Sequence, residues 1–408
     1  MKILVVCQYY YPENFQINDI CEYMAADGHD VTVLTGLPNY PTGIIPDEYK
    51  HGKRRDEVIN GVHVIRCFEI GRKKGAVGLA ANYFSYFFSA STKVKKIGDD
   101  FDLIFAYQQS PVLMVNPAKI LKERANTPMV LYCCDIWPES MKVMIKNEKS
   151  LLYKILTSIS RKLYQSANKI VVQSKFFIEY FEMVHQISGE KSIFIPHFGD
   201  SHYLEMDLLE EKQSNASANF VFLGNIGIAQ DIDTILSAIE IIKNLDFLVH
   251  LVGDGTYLEK AKEIVSDKGI SHKVRFYGKK PLEDMPKYYR IADACLLTLK
   301  DDSYIGKTIP SKLQGYMAAG KPVIAAINGA AKDVITEAKC GECVPASDYS
   351  ALADLMKDFI DNPDKYKSCG ENGREYFRKH FTKEQHMKQL YAVFDGVLEE
   401  NRNVAIKR

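Results

Sequence analysis

One change of period, made twice, limits what this chain can fold into. In residues 1–200, short apolar runs (ILVVC, VTVLT, VHVIR, LIFAY, MVLYC, IVVQS and SIFIP) alternate with longer amphipathic stretches at 17–26, 79–96, 115–124 and 151–166. The short runs read as strands and the longer stretches as helices. Strands separated by helices pair in parallel, and the helices cover both faces of the sheet. Residues 201–218 (SHYLEMDLLEEKQSNASA) break the pattern, being polar, charged and rich in Ser and Asn, as an interdomain linker is.

The alternation resumes over 219–378. NFVFLG, FLVHLVG, KVRFYG, ACLLTL, KPVIAA and GECVP read as strands, and 233–243, 258–267, 285–291, 311–319 and 351–360 as helices. Residues 379–408 read as all-helical. The expected fold is α/β, with two Rossmann-like domains facing across a cleft. Open α/β sheets bind ligands at the carboxyl ends of their strands, so the cleft is where a site is expected. No G-x-G-x-x-G follows a strand. The nearest approach, GDGTYL at 253–258, lacks the third glycine, which argues against a nicotinamide dinucleotide.

The totals exclude several classes. The 408 residues are 46% hydrophobic and 25% charged with zero formal net charge, an ordinary globular composition that gives nucleic-acid binding no support. Cys7, Cys67, Cys133, Cys134 and Cys295 sit in or beside apolar runs and read as buried thiols of a reducing compartment. Cys340 and Cys343 form a CxxC without a second pair or a nearby histidine, so no metal site is expected there. The start, MKILVVCQYY, runs straight into a strand, and no apolar run reaches about 18 residues. A cytoplasmic protein is expected.

Charge is locally uneven. Residues 50–75 hold eight Lys and Arg against Asp56, Glu57 and Glu69. LAANYFSYFFSASTKVKK at 79–96 then sets Tyr83, Phe84, Tyr86, Phe87 and Phe88 beside Lys93, Lys95 and Lys96. Residues 50–96 read either as a peripheral face for an anionic bilayer, at the inner side of the plasma membrane, or as a core helix with a charged end.

Three glycine turns end strands of the second half: LGNIG with Gly224, VGDG with Gly253 and FYG with Gly278. Each lets backbone approach a ligand closely, and each by itself is ordinary loop chemistry. TIPSK at 308–312 is more specific. Pro310 suits a first helical turn, and Thr308 or Ser311 is placed to cap it. The open N–H groups and the helix dipole attract phosphate, and Lys312 adds a full charge where a lysine is otherwise unfavourable. In the first half, YCCDIWPES ends a strand with Asp135, a position for orienting a hydroxyl or assisting proton transfer, or for capping a helix. In YYYPENFQIND, Asn14 is equally a candidate cap.

These residues lie in segments that resemble a known family. GHDVTVLTGLPNYPTG (28–43), DIWPES (135–140), GNIGIAQDIDTIL (224–236), VRFYGKKPLEDMPKYYRIAD (274–293) and PSKLQGYMAAGKPVIAAINGAA (310–331) are similar to family 4 glycosyltransferases of the two-domain GT-B fold. They resemble most the bacterial subgroup that builds O-antigen, capsule and exopolysaccharide and includes N-acetylfucosamine transferases. The resemblance implies retaining transfer from a UDP-sugar, without a metal ion, to a lipid-linked or saccharide acceptor. It places Gly278 and Lys279 near the base, and Asn225, Gln230, Lys312 and the helix start with Ser311 near diphosphate and ribose. Phe15 and Gln16 would serve the acceptor, with Asp135 near the reacting centre, and the last helices would cross back to the first domain. The chain departs from many relatives, which carry Arg and Lys at Asn225 and Gln230 and glutamates at Lys307 and Gly315. Lys307 and Lys312 are expected to restore the missing charge, and Gln314 to offer a neutral hydrogen bond to ribose or sugar. The same fold also serves UDP-sugar 2-epimerases, and the missing charges equally suit a non-catalytic sugar-nucleotide-binding subunit.

Overall fold

The computed structural model describes residues 1–143, 145, 147–205, 216–301 and 308–406. It has two compact units, Met1–Ile195 with Met387–Arg408, and Pro196–His386. The division therefore falls ahead of the polar segment read as a linker, and again inside the last helix, Lys383–Ile406.

The first unit is built on β1 (Lys2–Val6), β2 (Asp30–Thr35), β3 (Asp56–Ile59), β4 (Val62–Arg66), β5 (Leu103–Gln108), β6 (Met129–Cys133), β7 (Lys169–Val172) and β8 (Ser192–Phe194). Their order is β3-β4-β2-β1-β5-β6-β7-β8. All pairs are parallel except β3 with β4. Every residue of β5 and β6 is buried, as expected of strands covered on both faces. The edge strand β3 escaped the sequence reading because DEVI is half charged. Its signal was the following Asn60–Gly61, where both residues have positive φ, 49° and 81°, as a two-residue hairpin turn requires.

The second unit is wholly parallel: β9 (Asn219–Leu223), β10 (Leu248–Val252), β11 (Val274–Gly278), β12 (Ala294–Thr298), β13 (Val323–Ala326) and β14 (Gly341–Val344). The order β11-β10-β9-β12-β13-β14 makes β9 and β12 the neighbours from which the winding departs in opposite directions. Ligands of such sheets bind at that switch point. One face is covered by the helices Ile232–Ile242 and Tyr349–Asp361 through Ile235, Ile239, Leu352 and Met356. The other is covered by Met285–Ile291 and Ser311–Ala318 through Tyr288, Leu313, Tyr316 and Met317.

Helix ends follow local chemistry. Ser150 caps Leu151–Ser166 by accepting from the Tyr153 N–H at 3.3 Å. The helix expected from residue 79 starts three positions earlier, at Ala76, behind Gly75 with φ +86°. Gly78 permits this, because a Cβ there would lie 2.7 Å from the Lys73 carbonyl oxygen.

Candidate functional site

Tyr316 fixes the helix Ser311–Ala318 on the switch point of the second unit. Its hydroxyl accepts from the Leu223 N–H at 3.1 Å and donates to the Leu296 carbonyl at 3.2 Å, bridging β9 and β12. The turn before it, one helical turn back, carries Lys312. Pro310 occupies the cap position, in extended conformation, and has no side-chain group to cap the helix. Pro310, rather than Thr308 or Ser311, is the residue at the cap position, so it lies just outside the first turn. Ser311 opens the helix and is exposed.

Lys312 is the unusual group. Its Nζ is buried, has no hydrogen-bond partner, and sits 3.8 Å from the centroid of the fully buried Phe222 ring. Burial lowers its pKa to about 7. The lysine stem lies along Gly224, where a Cβ would meet Lys312 Cε at 2.9 Å. An ammonium in such a place costs free energy until an anion joins it.

The three glycine turns do converge. The Gly224 N–H bonds the Val252 carbonyl at 2.9 Å, and the Gly253 N–H bonds the Gly278 carbonyl at 3.0 Å. A Cβ at Gly253 would lie 1.7 Å from the Gly224 carbonyl oxygen, so only glycine allows this approach. Around the turns is a recess of about 420 Å3 lined by Gly224, Asn225, Gly253, Asp254, Gly255, Lys279, Lys280, Leu282 and Met285, among others. Asp254, Lys280 and Met285 were missed in the sequence. The GDG of VGDG was a signal for Asp254, whereas Met285 is placed there only by the fold.

Three residues expected at the ligand, Asn225, Gln230 and Gln314, make hydrogen bonds within the protein. Gln230 Oε1 accepts from the Gly227 N–H at 3.1 Å and from Asn225 Nδ2 at 3.0 Å, so these two residues brace the turn rather than replace a pair of cations. Gln314 is 3% exposed and donates from Nε2 to the His197 carbonyl at 2.5 Å. It secures residues 196–199 instead of offering a hydrogen bond to a sugar. A Cβ at Gly315 would lie 2.9 Å from Tyr289 Oη, so a buried tyrosine hydroxyl crowds the place of the relatives' glutamate. Lys307 lies outside the described residues.

In the first unit, the carboxyl edge of the sheet gathers aromatics. Phe15 precedes the helix Gln16–Ala26 and packs between Tyr9 and Tyr40, with centroid distances of 5.6 and 5.4 Å. Phe15, not Asn14, holds the cap position, and Gln16 opens the helix half-buried. Arg72 stands 5.9 Å from the Tyr40 centroid. Asp135 follows β6 in a bend, outside any helix cap, with its carbonyl accepting from Gln108 Nε2 at 2.8 Å. Trp137 anchors the segment after it, donating from Nε1 to Ser110 Oγ at 2.9 Å. Burial raises the Tyr83 phenol pKa, and Arg72, Ser110 and Asp135 all act on that phenol. The Asp135 carboxylate is thus close enough for its charge to act on the Tyr83 phenol.

A buried polar network ties these loops together. Glu69 is fully buried, and its Oε1 accepts from Gln8 at 2.7 Å, Asn82 at 2.5 Å and Asn39 at 3.3 Å. Glu13 accepts from the Asn39 and Tyr40 N–H groups at 2.6 and 2.5 Å. Burial raises the Glu69 pKa to about 8 and that of Glu13 to about 7. A carboxyl whose folded pKa is raised binds more protons folded than unfolded, so its contribution falls as pH rises from about 4.5 towards 8. Glu69→Gln is expected to flatten that fall. Glu69→Leu, which strands three amide donors, is expected to cost about 3 kcal/mol. Urea unfolding between pH 5 and 8 measures both.

The comparisons cover nearly the whole chain. "Glycosyltransferase Family 4" matches residues 15–202 and "Glycosyl transferases group 1" matches 209–376. The probable glycosyltransferase WbjE of Pseudomonas aeruginosa is 25% identical over 313 residues, 72% of this chain and 76% of its own. WcaI of Escherichia coli strain K12, named as a colanic acid biosynthesis glycosyl transferase, is 22% identical over 78% of this chain and 82% of its own. The structure of Anabaena HepE with UDP-glucose superposes with a TM-score of 0.66 over 97% of this chain and 100% of its own, at 16% identity, and shares the GT-B fold. With its two halves matched in order, the chain belongs to the family 4 glycosyltransferases.

Proposed function

We propose that this glycosyltransferase moves a sugar from a UDP-sugar, with retention at the anomeric carbon, onto a lipid-linked or saccharide acceptor during assembly of a bacterial surface polysaccharide. The observation that carries the reading is Lys312, a buried ammonium without a hydrogen-bond partner among the described residues, in the first turn of the helix Ser311–Ala318 and beside the recess formed by the three glycine turns. The names of WbjE and WcaI and the UDP-glucose held by HepE support the substrate classes. On this reading the recess with Lys279 takes the nucleoside, and Lys312 with the helix N–H groups takes the diphosphate.

The chemistry follows. The acceptor hydroxyl oxygen forms a bond to the anomeric carbon as the bond from that carbon to the donor phosphate breaks. The hydroxyl proton passes to the departing diphosphate, whose charge Lys312 stabilises as it develops. Asp135 orients the acceptor hydroxyl. No metal takes part in this scheme.

A thermal-shift series tests it. UDP at about a hundred times its Kd is expected to raise the melting temperature by about 2 °C or more, with GDP and ADP inert. A shift by GDP alone overturns the choice of base, and no shift by any nucleotide overturns the site. Asp135→Asn is expected to cut turnover by about a hundredfold or more while leaving the UDP shift unchanged. A variant with full turnover removes Asp135 from the mechanism.

A further inference from the structure

The helix Ala76–Lys93 has two unlike faces. One buries Asn82, Tyr83, Tyr86 and Ala90 in the first unit. The other leaves Val77, Phe84 and Phe88 exposed at 85%, 49% and 63%. These three recur at i, i+7 and i+11, which is one stripe of a helix. The segment after β4 lies beside that stripe, tied by Ser85 Oγ accepting from the Ile70 N–H at 2.9 Å and by Ser89 Oγ donating to the Phe68 carbonyl at 2.5 Å. It adds Phe68 at 55% and Ile70 at 40% exposure. Single exposed apolar residues are ordinary, but five on one surface are not.

At the carboxyl end of the same helix is a recess of about 570 Å3 lined by Arg55, Arg66, Phe68, Phe88, Lys93 and Lys96, among others. Arg66 spends Nε and Nη2 on Glu57, and its buried Nη1 has no partner. Among the described residues, Arg55, Lys93 and Lys96 have no carboxylate partner. Unpaired cations around a cavity, bordered by exposed phenylalanines, match a surface whose outer layer is anionic phosphate and whose next layer is hydrocarbon.

We propose that this face docks on an anionic phospholipid bilayer, with a lipid phosphate held in the recess by Arg55, Lys93 and Lys96, and with Phe68, Phe84 and Phe88 in the acyl boundary. Charge complementarity and the adjoining apolar stripe select the membrane over a soluble anion, which would leave the phenylalanines in water. The buried side of the same helix carries Tyr83, which shares its surroundings with Asp135 and Arg72. A docked helix therefore brings the acceptor-side residues to the membrane, where a lipid-linked acceptor resides. This deepens the lipid-linked acceptor of the proposed function, on which it rests, and its test uses neither donor nor acceptor, so the two fail separately.

The test is co-sedimentation of the full chain with vesicles of phosphatidylglycerol and phosphatidylcholine, against phosphatidylcholine alone. Partitioning onto the anionic vesicles is expected to be about tenfold stronger at low salt and to fall as salt is added. Lys93→Glu with Lys96→Glu, and separately Phe84→Ser with Phe88→Ser, are each expected to lower it about tenfold. All four positions are exposed, and an unchanged melting temperature establishes that the variants fold. Equal partitioning onto both vesicle types overturns the proposal, whatever the variants do. So do double variants that sediment like the parent, or a dimer in solution that buries these phenylalanines between two copies.

Discussion

Lys312→Met is expected to make the unliganded enzyme more stable and nearly inactive. The side chain holds its ammonium in a buried position, against the Phe222 ring and without a hydrogen-bond acceptor. Methionine fills a similar volume without the desolvated charge, so a gain of about 1 kcal/mol or more is expected at neutral pH. Turnover is expected to fall by about a hundredfold to a thousandfold, the usual loss when a preorganised group facing developing charge is removed. The pH dependence gives a second reading of the same residue. Its folded pKa of about 7 lies below the unfolded value, so between about pH 7 and 10 the unfolded chain binds more protons. The destabilisation by Lys312 is therefore fully present below pH 7 and disappears as pH rises to about 10. The stability gap between variant and parent should close over that window. Donor binding should run the other way. A diphosphate raises the lysine pKa again, so binding above pH 7 takes up a proton and weakens by up to about tenfold per pH unit. Calorimetry of donor binding in buffers of different ionisation enthalpy checks the proton uptake. A parent and variant with the same affinity and turnover would overturn the role of Lys312.

Gly253→Ala is expected to have the largest structural effect of any methyl-sized change at the recess of the glycine turns. Gly253 has φ +148°, a region that side-chain-bearing residues avoid, and the added Cβ would lie 1.7 Å from the Gly224 carbonyl oxygen. The atom in the way is backbone, so relief requires moving the Gly224 turn itself, and with it the surface on which Lys312 lies. A loss of about 3 kcal/mol or more is expected, together with loss of the nucleotide-induced thermal shift. Gly269→Ala is the control. Gly269 also has positive φ, +65°, but a Cβ there meets nothing within 4 Å. Its cost should be about 1 kcal/mol, with nucleotide binding intact. Equal effects at the two positions would mean that backbone conformation alone, and not the closeness of the glycine turns, governs the recess.

The buried carboxylates of the first unit and the buried lysine of the second pose one design problem in opposite charge. Glu69 is satisfied on Oε1 by three amide donors, Gln8 and Asn39 from two loops and Asn82 from the helix Ala76–Lys93, so its burial fixes those loops against the helix. Lys312 Nζ has no hydrogen-bond partner among the described residues, so its burial disfavours the charged form unless an anion joins it. The first arrangement holds loops in place, the second is the one assigned to the donor in the proposed function, and neither is visible in residue type alone.

The alternation of strands and helices was legible in the sequence because it rests on local pattern and on runs such as LIFAY and MVLYC, whose burial on both sheet faces needs no partner to be recognised. The helices Leu151–Ser166, Leu258–Asp267 and Met285–Ile291 begin and end where the sequence indicated. Lys312 and the three glycine turns were also legible, since a lysine at a helix start and glycines at strand ends are unusual wherever they occur. What the sequence could not decide was the direction of each side chain. Gln314 and Lys312 are two residues apart on one helix, yet one turns to the His197 carbonyl and the other to Gly224. Likewise Asn225 and Gln230 are polar residues in a candidate loop whose hydrogen bonds are spent on each other. Those choices belong to tertiary structure, because a polar side chain takes whichever partner the packing brings within about 3 Å, and that partner is often more than a hundred residues away, as His197 is from Gln314.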